Sequence, residues 1–188
     1  MQAMIDAIEA GKLDAVIALV VSDVPGALAL ERAGKHDIPT LVVDHRKFKN
    51  KDDYEKEILA AVKKAKVDLI CLAGYMRIVG SVLLKAFRGK MINIHPSLLP
   101  SFPGLHGQKQ ALDHGVKVSG ATVHFVDEGC DTGPIIVQAA VPVLEHDSEE
   151  SLSERILEEE HRLYVQAIDL IAGGRIRLEG RVVRILSA

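Results

Sequence analysis

The chain has no tryptophan, two cysteines, 4% aromatic residues and a net charge of only −3. Each shortage excludes a class of protein. Cys71 and Cys130 cannot build a disulfide framework, and two isolated thiols fit a reducing compartment. The 23 basic and 26 acidic residues are well mixed, which leaves no electropositive footprint for nucleic acid. The longest apolar runs, such as Ala15 to Val21, fall far short of a membrane span, and no charged-then-apolar signal segment opens the chain. A cytoplasmic location and small-molecule substrates are therefore expected. His106, His114 and His124 lack zinc-like spacing and there is no Cys-x-x-Cys, so no metal is expected. There is also no G-x-G-x-x-G or Walker loop, and no nucleophile elbow around Ser97 or Ser101.

What remains is 188 residues, 48% of them apolar, enough for one domain over residues 1–188 with a sizeable core. Apolar runs alternate with amphipathic stretches. Residues 14–21 read as a fully buried strand, 26–34 as a helix closing at Gly34, 39–43 as a second strand and 52–65 as a helix. A third strand covers 68–72 and a fourth 90–94, a βαβ rhythm that predicts an α/β fold. A mostly parallel sheet with helices on both faces follows from that rhythm. Beyond Gly120, residues 121–126 and 135–141 read as paired strands around the loop Asp127 to Pro134. A long helix is expected from Ser151 to Ala172, opened by a Ser151-Leu-Ser-Glu154 capping box and closed by Gly173-Gly174. Residues 176–186 read as a terminal hairpin turning at Glu179-Gly180.

The chemistry concentrates in Asn93-Ile-His-Pro-Ser-Leu-Leu-Pro100. Period-two alternation puts Asn93 and His95 on one side of a strand that Pro96 and Pro100 terminate. The polar pair thus sits at a strand's carboxyl end, where open α/β sheets place their ligands. An amide that can donate to a developing oxyanion and an imidazole that can move a proton are parts that acyl transfer needs. Asp131, in the loop Gly129 to Gly133, reads equally as a turn aspartate or as the imidazole's partner. Glu160 points toward the apolar stripe of the long helix. It is either a carboxylate at the stripe's edge pairing with Arg155 or Arg162, the plainer reading, or an acceptor for ligand hydroxyls. Residues Ala73 to Val79 are either a strand-to-helix loop with Met76 and Ile78 packing inward, or a slot for a flat heterocycle with Arg77 near an anionic tail.

Taken together, these residues closely resemble the glycinamide ribonucleotide formyltransferase family, folate-dependent enzymes of purine synthesis. The most specific segments are Leu72-Ala-Gly-Tyr-Met-Arg-Ile78, Asn93 to His106, Val123-His-Phe125 and Asp131-Thr-Gly-Pro134. The resemblance implies a Rossmann-like formyltransferase fold and formyl transfer from 10-formyltetrahydrofolate to the glycinamide amine, without a metal. It makes Asn93, His95 and Asp131 the catalytic trio: His95 donates a proton, Asn93 steadies the oxyanion, and Asp131 keeps the imidazole protonated. Met76, Arg77, Ile78 and Val79, with Asn93, would hold the folate. Lys51 stands where the family often has a folate-binding arginine, which keeps charge but loses bidentate geometry. Glu160 would accept from the ribose hydroxyls of the nucleotide.

Relatives begin with a strand and a Gly-Ser-Asn loop that gives backbone N–H groups to the substrate phosphate, just before the helix that here starts at Met1. The resemblance therefore implies that this first, central strand is absent from the sequence and that Met1 is a misassigned start. It also implies open sheet edges through which the chain could form homo-oligomers. Two other readings follow: a folate-binding module with impaired catalysis, or a formyltetrahydrofolate hydrolase. Methionyl-tRNA formyltransferase fits less well, because it carries a further RNA-binding domain.

Overall fold

The computed structural model describes residues 1–186. In chain order its elements are α1 (Gln2–Glu9), β1 (Val20–Ser22), α2 (Leu28–Lys35), β2 (Thr40–Val42), a 3-10 turn (His45–Lys47) and α3 (Lys51–Lys64). There follow β3 (Ile70–Leu72), α4 (Ser81–Ala86), β4 (Met91–His95), α5 (Gly107–Asp113), β5 (Val118–Phe125) and β6 (Ile135–Pro142). The chain closes with α6 (Glu149–Ala172), β7 (Ile176–Glu179) and β8 (Val182–Ile185).

The sheet is mixed, not mostly parallel. The order β3-β4-β5-β6 has one parallel pair, β3 with β4, and two antiparallel ones. The parallel pair β1-β2 and the antiparallel hairpin β7-β8 stand as separate ladders. The βαβ rhythm stops at β4, and the hairpin β5-β6 extends the sheet in the antiparallel sense. Helices do cover both faces. Met91 and Ile92 are neighbours on β4 and so point to opposite sides. Met91 packs with Tyr54, Ile58 and Val62 of α3 and Leu83 of α4; Ile92 packs with Leu152, Ile156 and Leu163 of α6 and Ala7 of α1.

The expected strand over 14–21 is reduced to Val20–Ser22, and it is only half-buried. A strand needs ladders, and β1 has one neighbour, β2. Val16, placed in the core by its apolar run, is 87% exposed. The long helix also starts earlier than expected. Ser148, not Ser151, is the N-cap: its side chain accepts from the Ser151 amide while Ser151 Oγ accepts from the Ser148 amide. The acids Glu149 and Glu150 fall in the first turn, where the helix dipole favours them. Two short helices, α4 and α5, had no periodic signal because six or seven residues are under two helical turns, too few for a 3.6-residue period to register.

Candidate active site

The carboxyl ends of β3 and β4, the loop after β5 and one flank of α6 enclose an open cleft of about 1010 Å³. Asn93, His95, Asp131, Glu160 and the strap Ala73–Val79 all line it. Lys51 does not; its side chain lies against Gly80 at the far end of that strap.

The antiparallel register of β4 and β5 sets Asn93 opposite His124 and His95 opposite Thr122. Directly opposed residues share a face. Asp131 joins them from the β5-β6 loop, with its backbone in the left-handed region at φ 54°. One carboxylate oxygen lies 3.4 Å from Asn93 Nδ2 and 3.6 Å from His124 Nε2. The other lies 3.3 Å from His95 Nδ1 and accepts the Gly104 N–H at 2.8 Å. Burial would push the Asp131 carboxyl up; the contact with His124, the Gly104 amide and the charges of the two imidazoles outweigh it and hold the group well below the usual carboxylate range.

His95 is 5% exposed, and its Nε2 donates to the Phe102 carbonyl at 2.8 Å. The Phe102 carbonyl and the Asp131 carboxylate thus stand beside the two ring nitrogens of His95. His124 donates through Nδ1 to the Phe125 carbonyl at 2.8 Å, which aims Nε2 at Asn93 and Asp131. The turn that ends β4 is held as tightly. Thr122 Oγ1 donates to the Ser97 carbonyl at 2.6 Å and accepts the Leu99 amide at 3.1 Å, while Ser97 Oγ donates to the Ser101 carbonyl at 2.6 Å. Ser97 and Leu99 of the motif are therefore held in this bonding, whereas Asn93 and His95 line the cleft.

Across the cleft, Glu160 has neither of the partners that the plainer reading offered. Arg155 pairs with Asp147, and Arg162 with Glu159. Burial pushes the Glu160 carboxyl up to about 7, and the Met1 ammonium offsets only part of that. One turn further on, the Tyr164 hydroxyl donates to the Leu72 carbonyl at 2.6 Å and fixes α6 against the end of β3. In the strap, Val79 is buried but Met76 and Ile78 are exposed at 74% and 58%, so two of its apolar side chains face outward rather than inward. Arg77 makes an ion pair with Asp23 at 3.4 Å. Among the described residues no group of three or more His, Cys, Asp or Glu is placed to hold a metal, and no helix is long and apolar enough to cross a membrane.

His124 and Thr122 had no assigned role in the sequence reading. The signal was present, since Val123-His-Phe125 stood out, but only the register of β5 against β4 shows what a histidine there can touch.

With this geometry in place, the match of residues 1–168 to the formyl transferase family model decides the class. The chain belongs to the formyl transferase family. It is 45% identical over 172 residues to phosphoribosylglycinamide formyltransferase of Bacillus subtilis, covering 92% of this chain and 88% of that protein. The crystal structure of glycinamide ribonucleotide transformylase 1 from Symbiobacterium toebii superposes with a TM-score of 0.97 at 50% identity, covering 99% of this chain and 88% of that one. The trifunctional purine biosynthetic protein adenosine-3 of Drosophila melanogaster is 51% identical over 176 residues. This formyl transferase chain spans 13% of that protein's length.

Proposed function

We propose that this chain transfers the formyl group of 10-formyltetrahydrofolate to the amine of glycinamide ribonucleotide in purine synthesis. The observation that carries the reading is the convergence of Asn93, His95 and Asp131 on one wall of the cleft. The amine attacks the formyl carbon and forms a tetrahedral adduct whose oxygen becomes negative. Asn93 Nδ2 and the protonated His95 stand ready to stabilise that oxygen. The C–N10 bond then breaks as His95 gives its proton to N10, and the imidazole so freed takes up the proton lost by the amine, which returns it to its starting state. Asp131 stays ionised throughout, so it can hold His95 charged without competing for the proton.

In this reading the strap Met76–Val79 takes the pterin and Glu160 accepts from the ribose hydroxyls. Lys51, outside the cleft, is left for the anionic tail of the folate. The finer reading of the sheet is that a strand laid between β1 and β3 joins the two parallel ladders and carries a phosphate-binding loop to the N-terminus of α1. The free edges of β1 and β3 and the exposed Val16 favour it.

The test is to follow loss of formyl from 10-formyltetrahydrofolate with and without glycinamide ribonucleotide, on this chain and on one extended by the upstream reading frame. Transfer that requires the nucleotide supports the proposal. Release of formate without nucleotide identifies a hydrolase instead. Folate binding with no nucleotide binding in either chain leaves only a folate-binding module.

A further inference from the structure

Glu55 lies on α3, outside the cleft, yet its side chain is completely buried. Its two carboxylate oxygens accept the backbone N–H of Gly80 and, at 3.3 Å, that of Leu83. These are the N-cap and N3 amides of α4. In a capping box the helix's own N-cap and N3 side chains satisfy these two donors. Here Gly80 has no side chain and Leu83 is a buried hydrocarbon, so a carboxylate from another helix serves both. The fit leaves no slack: a Cβ added at Gly80 would stand 2.6 and 2.7 Å from the Glu55 oxygens and 2.8 Å from Lys51 Cε.

Gly80 is also where the strap Ala73–Val79 ends. Its other end leaves β3 at Leu72, whose carbonyl takes the Tyr164 hydroxyl. A strap pinned at both ends, with Val79 buried as a peg, presents Met76 and Ile78 to the cleft. We propose that Glu55 is a positioning residue for the folate co-substrate: by capping α4 from α3 it fixes the strap in the shape that receives the pterin. This rests on the assignment of residues 76–79 to the folate.

Glu55→Gln tests it, because the amide is isosteric but has one acceptor oxygen and sets an N–H₂ against the second backbone donor. Hydrogen exchange across residues 73–83 should quicken. Affinity for a folate analogue, measured by calorimetry, should fall by about tenfold, equivalent to roughly one lost charge-assisted hydrogen bond. Ile156→Val, which loosens the core on the other side of the sheet, should leave that affinity unchanged. If Glu55→Gln folds poorly, Glu55→Asp is measured in the same way, since it keeps the charge but withdraws the oxygens by one methylene. Unchanged exchange in the strap overturns the proposal, as does equal weakening by Ile156→Val. Faster exchange with unchanged affinity overturns it too. Met76→Ala then locates the fault: if it weakens folate binding, the strap holds folate and Glu55 is irrelevant to it; if not, the folate assignment has failed.

Discussion

Asp131 and Glu160 are two carboxylates in one cleft whose protonation is pulled in opposite directions. Asp131 is held ionised by two imidazoles and a backbone amide, whereas Glu160 is desolvated with little to compensate. If the proposed mechanism holds, Asp131→Asn should reduce turnover by at least about 100-fold, through loss of the negative charge 3.3 Å from His95 Nδ1. Its effect on stability carries its own sign. The folded carboxyl is depressed, so its contribution is present above its unfolded value and lost as pH falls. The melting-temperature deficit of Asp131→Asn should therefore stand at pH 7 and shrink below about pH 4. Glu160 runs the other way, because its folded value is raised from 4.5 to about 7. Wild-type stability is lost as pH rises through that window. Glu160→Gln should match wild type at about pH 4 and exceed it above pH 7 by up to about 3 kcal/mol, while binding the nucleotide more weakly. Urea titrations at pH 4, 6 and 8 would read both effects.

At the scale of elements, the site depends on how turns and caps are held. The β5-β6 loop brings Asp131 to the imidazoles only because Gly133 packs with no room for a Cβ against the Phe125 carbonyl. Helix α6 carries Glu160 and Tyr164 and is started by Ser148 and Ser151, with Arg155 closing back on Asp147. Ser148→Ala should cost about 1 kcal/mol in urea unfolding without altering the arrangement of Asn93, His95 and Asp131. The sequence placed this helix and most of its buried stripe but misplaced its start, because Ser151-Leu-Ser-Glu154 carries the capping-box pattern and Ser148-Glu-Glu-Ser151 does not. What selects Ser148 is the reciprocal bond with Ser151, together with the ion pair at Asp147. Glu55 was hidden for a similar reason. On α3 it sits beside Tyr54 on the apolar face and reads as an ordinary surface acid until α4 is packed against it.

At the scale of the molecule, the pair β1-β2 and the sheet β3-β4-β5-β6 share no strand, so β1 and β3 each end a ladder. Edges of that kind invite pairing with another chain. Sedimentation of this chain should show concentration-dependent association. Val16→Lys should change stability by no more than about 0.5 kcal/mol, because the side chain is already in solvent.

The local code sufficed for whatever depends on near neighbours in the chain. Alternation along β4 put Asn93 and His95 on one side, 3.6-residue periodicity marked the buried faces of α3 and α6, and the motif from Asn93 to Pro100 marked a strand end with chemistry on it. Residues far apart in sequence were another matter. Register alone sets His124 across from Asn93 and brings Asp131, thirty-eight residues after Asn93, to within hydrogen-bond reach. Packing alone deprives Glu160 of an ion partner and gives Glu55 two distant amides. The direction of the sheet belongs to the same class: the sequence pattern shows β5 and β6 as a pair, but not that β5 joins β4 in the antiparallel sense. Periodicity is a one-dimensional signal, whereas the pairing of strands and the burial of a charge are settled only when the whole chain closes on itself.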